Sequence, residues 1–131
     1  MCYYIYGALY GDIDKAEYKK IEDKYDCKIH SGTKHNVKMC VKGDSWDYRV
    51  TDGHCDCGSA LGEKNPDAKG IMELEALFND IKKVEGAKHI YLCKTWAGKI
   101  NRREVKLKLS DIDVKTVLAE FDPNCLYTFE I

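Results

Sequence analysis

The residues of this chain best suited to chemistry lie in one loop, residues 51–66, between two regular segments. The loop contains Cys55 and Cys57, spaced Cys-x-Cys, with His54 directly before them and glycines that permit sharp turns. Thiolate and imidazole groups are preferred ligands of zinc, and structural zinc sites are closed tetrahedral sets. The loop has roughly 15 residues against the usual ~4–6, and loops of that length are commonly functional. The sequence therefore predicts a metal site here.

The same cysteine pair supports other interpretations. As a dithiol, Cys55 and Cys57 would close a small, strained disulfide, and strained exposed disulfides are labile and oxidising. A redox role is less favoured, because no Cys-x-x-Cys stands at a helix start. A single nucleophilic cysteine would need His30, His35 or His54 as a base within hydrogen-bond reach. The plainest alternative is that the loop buries one cysteine as an anchor, since free cysteine is among the most buried residue types.

Composition bounds the class of protein. A length of 131 residues indicates a single domain, residues 1–131, that can bury its own core. The formal net charge of -1 gives no overall attraction to nucleic acid or to an anionic membrane. No apolar run approaches the ~20 residues of a membrane span, and the N-terminus lacks the pattern of a signal peptide. The seven cysteines, an odd number, do not fit a secreted disulfide framework, so we predict a cytosolic protein with free thiols.

Hydrophobic periodicity predicts an α+β fold with a mixed, largely antiparallel sheet of about seven strands and three helices packed on it. The predicted order is β-α-β-β-β-α-β-β-α-β. Alternation typical of strands marks residues 2–10, 26–31, 35–42, 46–51, 88–96, 102–109 and 125–131. Capping signals predict helix starts at Asp14, at Asn65-Pro66 and at Ser110.

Strand directions predict which thiols meet. If strand 46–51 runs toward one end of the sheet, the cysteine loop lies at that end. Because each hairpin or helix reverses the chain direction, the end at which every other strand begins and finishes then follows. The groups expected at the same end are His30, His35, His54, Cys55, Cys57 and Cys125, with Cys93 just below. The cysteines expected toward the opposite end are Cys2, Cys27 and Cys40. The predicted metal ligands are therefore drawn from His54, Cys55, Cys57, Cys93 and Cys125.

A different function would rest on basic residues. One predicted hairpin carries Lys99, Arg102, Arg103, Lys106 and Lys108, and another predicted strand carries Lys38 and Lys42. Proteins that grip single-stranded nucleic acid combine such charge with aromatic platforms. The aromatic candidate here is Trp96, which could face either solvent or the core. Lysines also protect an exposed sheet edge from unwanted pairing, and we favour that interpretation.

The lead hypothesis is that the cysteine loop binds a soft metal such as zinc in a structural or regulatory role. The alternative is a non-catalytic interaction module, with a protein or nucleic-acid partner, in which the loop is only structural. The sequence assigns no catalytic residue and leaves open whether the protein is an enzyme.

Overall fold

The computed structural model describes residues 2–25, 27–43, 45–96, 103–123 and 125–131. Within these ranges the fold is α+β, as predicted, with one mixed sheet of four strands and with four helices. The strands are β1 (Tyr3–Gly11), β2 (Ala87–Trp96), β3 (Glu104–Lys108) and β4 (Leu126–Glu130). The helices are α1 (Lys15–Lys24), α2 (Lys34–Lys42), α3 (Lys69–Lys82) and α4 (Val114–Ala119). The prediction of seven strands and three helices is wrong in both counts.

The sheet has the order β1-β2-β4-β3. Strand β2 pairs antiparallel with both β1 and β4, whereas β3 and β4 are parallel and are joined by a crossover through α4. Tyr3 pairs with Trp96, and Cys93 pairs with Leu126. The starts of β1 and β4 and the end of β2 therefore lie at one end of the sheet, which we call the Tyr3 end.

Helices cover both faces of the sheet, because side chains of successive strand residues point to opposite faces. On one face, apolar residues of α1, α3 and α4 pack on Ile5, Leu9, Leu92 and Phe129 to form the larger hydrophobic core. On the other face α2 packs on β1 and β2 and forms a smaller core around Tyr6. Within the described residues, no helix has the length and apolar character needed to cross a membrane.

The predicted strand at residues 35–42 is wrong, because these residues belong to helix α2. The prediction relied on alternating apolar side chains, yet Met39, in the middle of the alternation, is 53% exposed. The helix instead buries residues at the spacing i, i+3, i+4, namely Val37, Cys40 and Val41. A capping box starts it, in which the Thr33 hydroxyl accepts a hydrogen bond from the backbone N–H of Asn36.

Residues 26–31 and 46–51 were also predicted as strands, but in their described parts they form only isolated bridges. Arg49 bridges Tyr6 in the antiparallel direction, and Ser31 bridges β1 in the parallel direction. Both segments therefore line the edge of β1 that β2 leaves open.

Other boundaries moved by a few residues. Helix α3 begins at Lys69 rather than at Pro66, and α4 follows Asp113 because Ser110 lies in a 3₁₀ turn, Leu109–Asp111. The predicted turn at residues 97–99 and the start of the strand at 102, with the basic residues Lys99 and Arg102, lie outside the described residues, as does Asp26.

Candidate metal centre

Three cysteine sulfurs meet at the Tyr3 end of the sheet. The Sγ atoms of Cys2, Cys55 and Cys57 all lie within 4.8 Å of one another, and no other such set of three or more metal-ligating groups occurs among the described residues. A Zn–S bond of about 2.3 Å places two sulfurs of a tetrahedral site about 3.8 Å apart. The cluster is therefore compact enough to hold one metal ion.

Asp56, between the two loop cysteines, is what holds the loop against β1. Its backbone N–H donates to the carbonyl oxygen of Tyr3 at 2.8 Å, and its carboxylate accepts from the backbone N–H of Ile5 at 2.7 Å. The side chain points inward and is only 5% exposed. Because Asp56 points inward, Cys55 and Cys57 on either side of it remain accessible beside the start of β1.

The Asp56 carboxylate forms a buried ion pair with Arg49. The Arg49 guanidinium lies 2.9 Å from Asp56 Oδ2 and donates to the carbonyl oxygen of Gly53 at 2.8 Å. It also lies over the rings of Tyr4 and Trp46, at 4.8 and 5.0 Å from their centroids. Charge-assisted hydrogen bonds and cation–π contacts are strongest when water is excluded. The turn that presents the two cysteines is therefore fixed independently of any metal.

Hydrogen-bond donors point at the sulfurs. The backbone N–H of Cys57, followed by the thiols of Cys2 and Cys57, lowers the pKa of Cys55. The hydrogen bond between the Cys2 and Cys55 side chains has the opposite effect on Cys2, because it raises the pKa of the Cys2 thiol. The backbone N–H of Tyr3 donates to Cys57 Sγ at 3.3 Å. Since thiolate is the form of cysteine that binds metals, this geometry favours metal binding.

Of the predicted ligands, the structure brings Cys55 and Cys57 together and leaves the other three outside the cluster. His54 is exposed in the loop. Cys93 is 1% exposed within the smaller core, where burial raises its pKa to about 12. Cys125 is 0% exposed within the larger core, and burial raises its pKa as well. These two thiols lie toward the Tyr3 end but behave as small buried hydrophobes.

The third member of the cluster, Cys2, was expected at the opposite end of the sheet, and that expectation is wrong. The error follows from α2: a helix in place of a predicted strand changes the number of reversals between β1 and residues 46–51. The backbone of Arg49 consequently runs antiparallel to β1 and delivers the loop to the start of that strand. No local pattern in the sequence marks Cys2, so only knowledge of this long-range pairing would have found it.

The two other histidines expected near the loop lie apart from the sulfurs. The carbonyl oxygen of His30 accepts from the backbone N–H of Leu9, near the far end of β1, and its ring bonds the carbonyl oxygen of Arg49 at 2.7 Å. His35 lies in the first turn of α2. Neither histidine belongs to the cluster of three cysteines.

Comparisons of the chain with protein-family models, with curated proteins and with solved structures find no match. The function therefore has to be argued from the geometry of the site. At that level the conclusion is that three neighbouring cysteines form a cluster that can hold a metal ion.

Alkylation should distinguish these thiols. In metal-free folded protein at pH 8, we expect Cys55 to react first, because its lowered pKa gives it more thiolate. Cys2, with its raised pKa, should gain proportionally more rate between pH 8 and pH 9.5, and Cys93 should stay unlabelled longest. Timed quenching and peptide mass spectrometry measure the order, with denatured protein as the control in which all seven react. Labelling of Cys93 as fast as Cys55 would contradict the description of the site.

Proposed function

We propose that the protein binds one zinc ion through Cys2, Cys55 and Cys57, in a structural or regulatory role. The observation that carries the proposal is the approach of three sulfurs to within 4.8 Å, with backbone N–H groups donating to them. Soft thiolate ligands select zinc, copper(I) or iron–sulfur clusters over magnesium and calcium. Among these, a tetrahedral site of three sulfurs and one further ligand is a common arrangement for zinc.

The position of the cluster suggests what zinc would do for the fold. Cys2 lies just before β1, whereas Cys55 and Cys57 lie in the loop, so a bound ion would link two chain segments more than 50 residues apart in sequence. Both hydrophobic cores and the Asp56–Arg49 ion pair are formed by residues other than the three clustered cysteines. Zinc would therefore add to the stability that these contacts provide, by about 2.7 kcal/mol at a free concentration 100 times Kd. That coupling suits either a structural or a regulatory role.

Metal analysis of the purified, zinc-reconstituted protein tests the proposal. We expect one zinc per chain in the wild type and none after dialysis of the Cys55→Ser/Cys57→Ser double variant. Cys40→Ser is the matched control, because Cys40 lies in α2 and its Sγ donates to the carbonyl oxygen of Ser45 at 3.0 Å, a bond that a hydroxyl can replace. A wild type without zinc, or a double variant that keeps it, would overturn the proposal.

The alternative of an interaction module for nucleic acid has less support. Lys38 forms a salt bridge with Glu104, with its Nζ 3.2 Å from Glu104 Oε1, and this acidic partner neutralises part of the basic surface. Lys106 and Lys108 are exposed on β3, an edge strand, where lysines guard against unwanted strand pairing. Trp96 is half-buried and packs edge-on against Tyr3, with the two ring centroids 4.7 Å apart. Part of its ring surface is therefore covered by Tyr3 and is less accessible to a nucleic-acid base.

A further inference from the structure

A cleft opens directly beside the cysteine cluster. It has a volume of about 670 Å³ and lies between β1, the cysteine loop, α3 and the segment that follows α1. This volume falls within the roughly 300–1,000 Å³ of pockets that bind small molecules. Any occupant of this cleft would need chemistry that matches its walls.

The walls of the cleft are mainly aliphatic. The apolar lining comes from both sides of the opening: Ile5, Val50, Leu61, Leu74, Leu77 and Leu92. Among the described residues, three charged ones line the cleft, and each has a partner: Lys24 pairs with Asp80 at 2.8 Å, Asp56 with Arg49 at 2.9 Å, and the exposed Glu73 with Lys69 at 3.9 Å. The cleft therefore presents hydrocarbon surface and few free charges to an occupant.

Cys55 joins this cleft to the cluster, because it is a lining residue of the cleft and one of the three clustered cysteines. A zinc ion held by three protein ligands keeps one coordination position for another molecule, whereas a closed structural site has four protein ligands. Within the described residues, no fourth ligating group lies in the cluster. A metal bound to Cys55 would thus lie next to the cleft with one position to fill.

We propose, building on the zinc site above, that the cleft binds a small aliphatic thiol whose sulfur completes the coordination of the metal. A thiol fits because a metal already held by sulfur favours another soft donor, and because an alkyl chain matches the leucine-rich wall. On binding, the thiol would lose its proton to solvent, and its sulfur would donate an electron pair to the metal in place of a water molecule released to solvent, with no change in oxidation state. The ligand class is thus a short alkyl chain ending in a thiol group.

Cobalt(II) in place of zinc provides the readout, since its visible absorption depends on the number and type of its ligands. The cobalt-loaded wild type is titrated anaerobically with 1-hexanethiol, with 2-mercaptoethanol and with 1-hexanol. We expect hexanethiol to change the spectrum and to bind at least about 30-fold more tightly than mercaptoethanol, because each buried methylene contributes about a factor of four. Hexanol, which lacks the sulfur, should leave the spectrum unchanged.

Two variants of α3 test whether the cleft supplies this preference. Leu74→Trp places a large ring at a lining position and should abolish the advantage of hexanethiol. Met72→Trp, on the same helix at a residue that is 57% exposed and outside the lining, should retain it. If the wild type binds cobalt but treats both thiols alike, or if Leu74→Trp keeps the preference, the thiol site is overturned while the metal site stands. If the protein binds no cobalt or zinc, both proposals fail.

Discussion

Replacing Asp56 with asparagine should lower the free energy of unfolding by about 3–5 kcal/mol, the range for breaking a buried ion pair from one side. The Asp56 carboxylate accepts from Arg49, from the Thr51 hydroxyl and from the backbone N–H of Ile5. A neutral amide leaves the guanidinium of Arg49, whose side chain is 7% exposed, without its counter-charge. Urea denaturation followed by tryptophan fluorescence measures the change, and Trp46 lies against Arg49 as a local reporter.

The matched control is Asp52→Asn in the same loop. The carboxylate of Asp52 is 76% exposed and pairs with Lys28 at 2.9 Å. Exposed ion pairs contribute about 0–1 kcal/mol, so this variant should unfold close to the wild type. Equal losses of stability in Asp52→Asn and Asp56→Asn would contradict the role assigned to the buried pair.

Zinc affinity should fall by more than about 100-fold when Cys2 is replaced with serine. Groups that only support a metal ligand typically contribute about 10–100-fold in affinity, and Cys2 is proposed as a ligand itself. Competition with a chromophoric chelator at pH 7 measures the dissociation constant. The Cys40→Ser protein serves again as control, and its affinity should stay within about threefold of the wild type. A Cys2→Ser protein that binds zinc like the control would exclude Cys2 from the site.

The Cys2 prediction also marks the limit of inference from the sequence. The long, strongly periodic elements were predictable: β1, β2, β4 and α3 each lie within a few residues of their predicted bounds. The segment that became α2 was ambiguous, because Val37, Met39 and Val41 fit a strand, whereas Val37, Cys40 and Val41 fit a helix. Valine also favours strands, whereas the capping box at Thr33 favours a helix.

The candidate metal site was also predictable only in part from the sequence. The Cys-x-Cys loop was recognisable because its residue types and its length are unusual for a connection. Residue type alone could not distinguish Cys93 and Cys125 from metal ligands, because a cysteine can also serve as a small hydrophobic residue. Their burial follows only from the packing of the two cores. The role of Asp56 was equally hidden, because an acidic residue in a polar loop gives no sign that it will be buried against Arg49.

The most direct test of the three-cysteine site is X-ray absorption at the zinc edge, on protein loaded with one equivalent of zinc and freed of added thiols. We predict three sulfurs bound to the zinc at about 2.3 Å and one nitrogen or oxygen at about 2.0–2.1 Å. The Cys2→Ser protein, loaded under the same conditions, should have one bound sulfur fewer. Two bound sulfurs or fewer in the wild type would contradict the assignment of Cys2, Cys55 and Cys57 as the metal ligands.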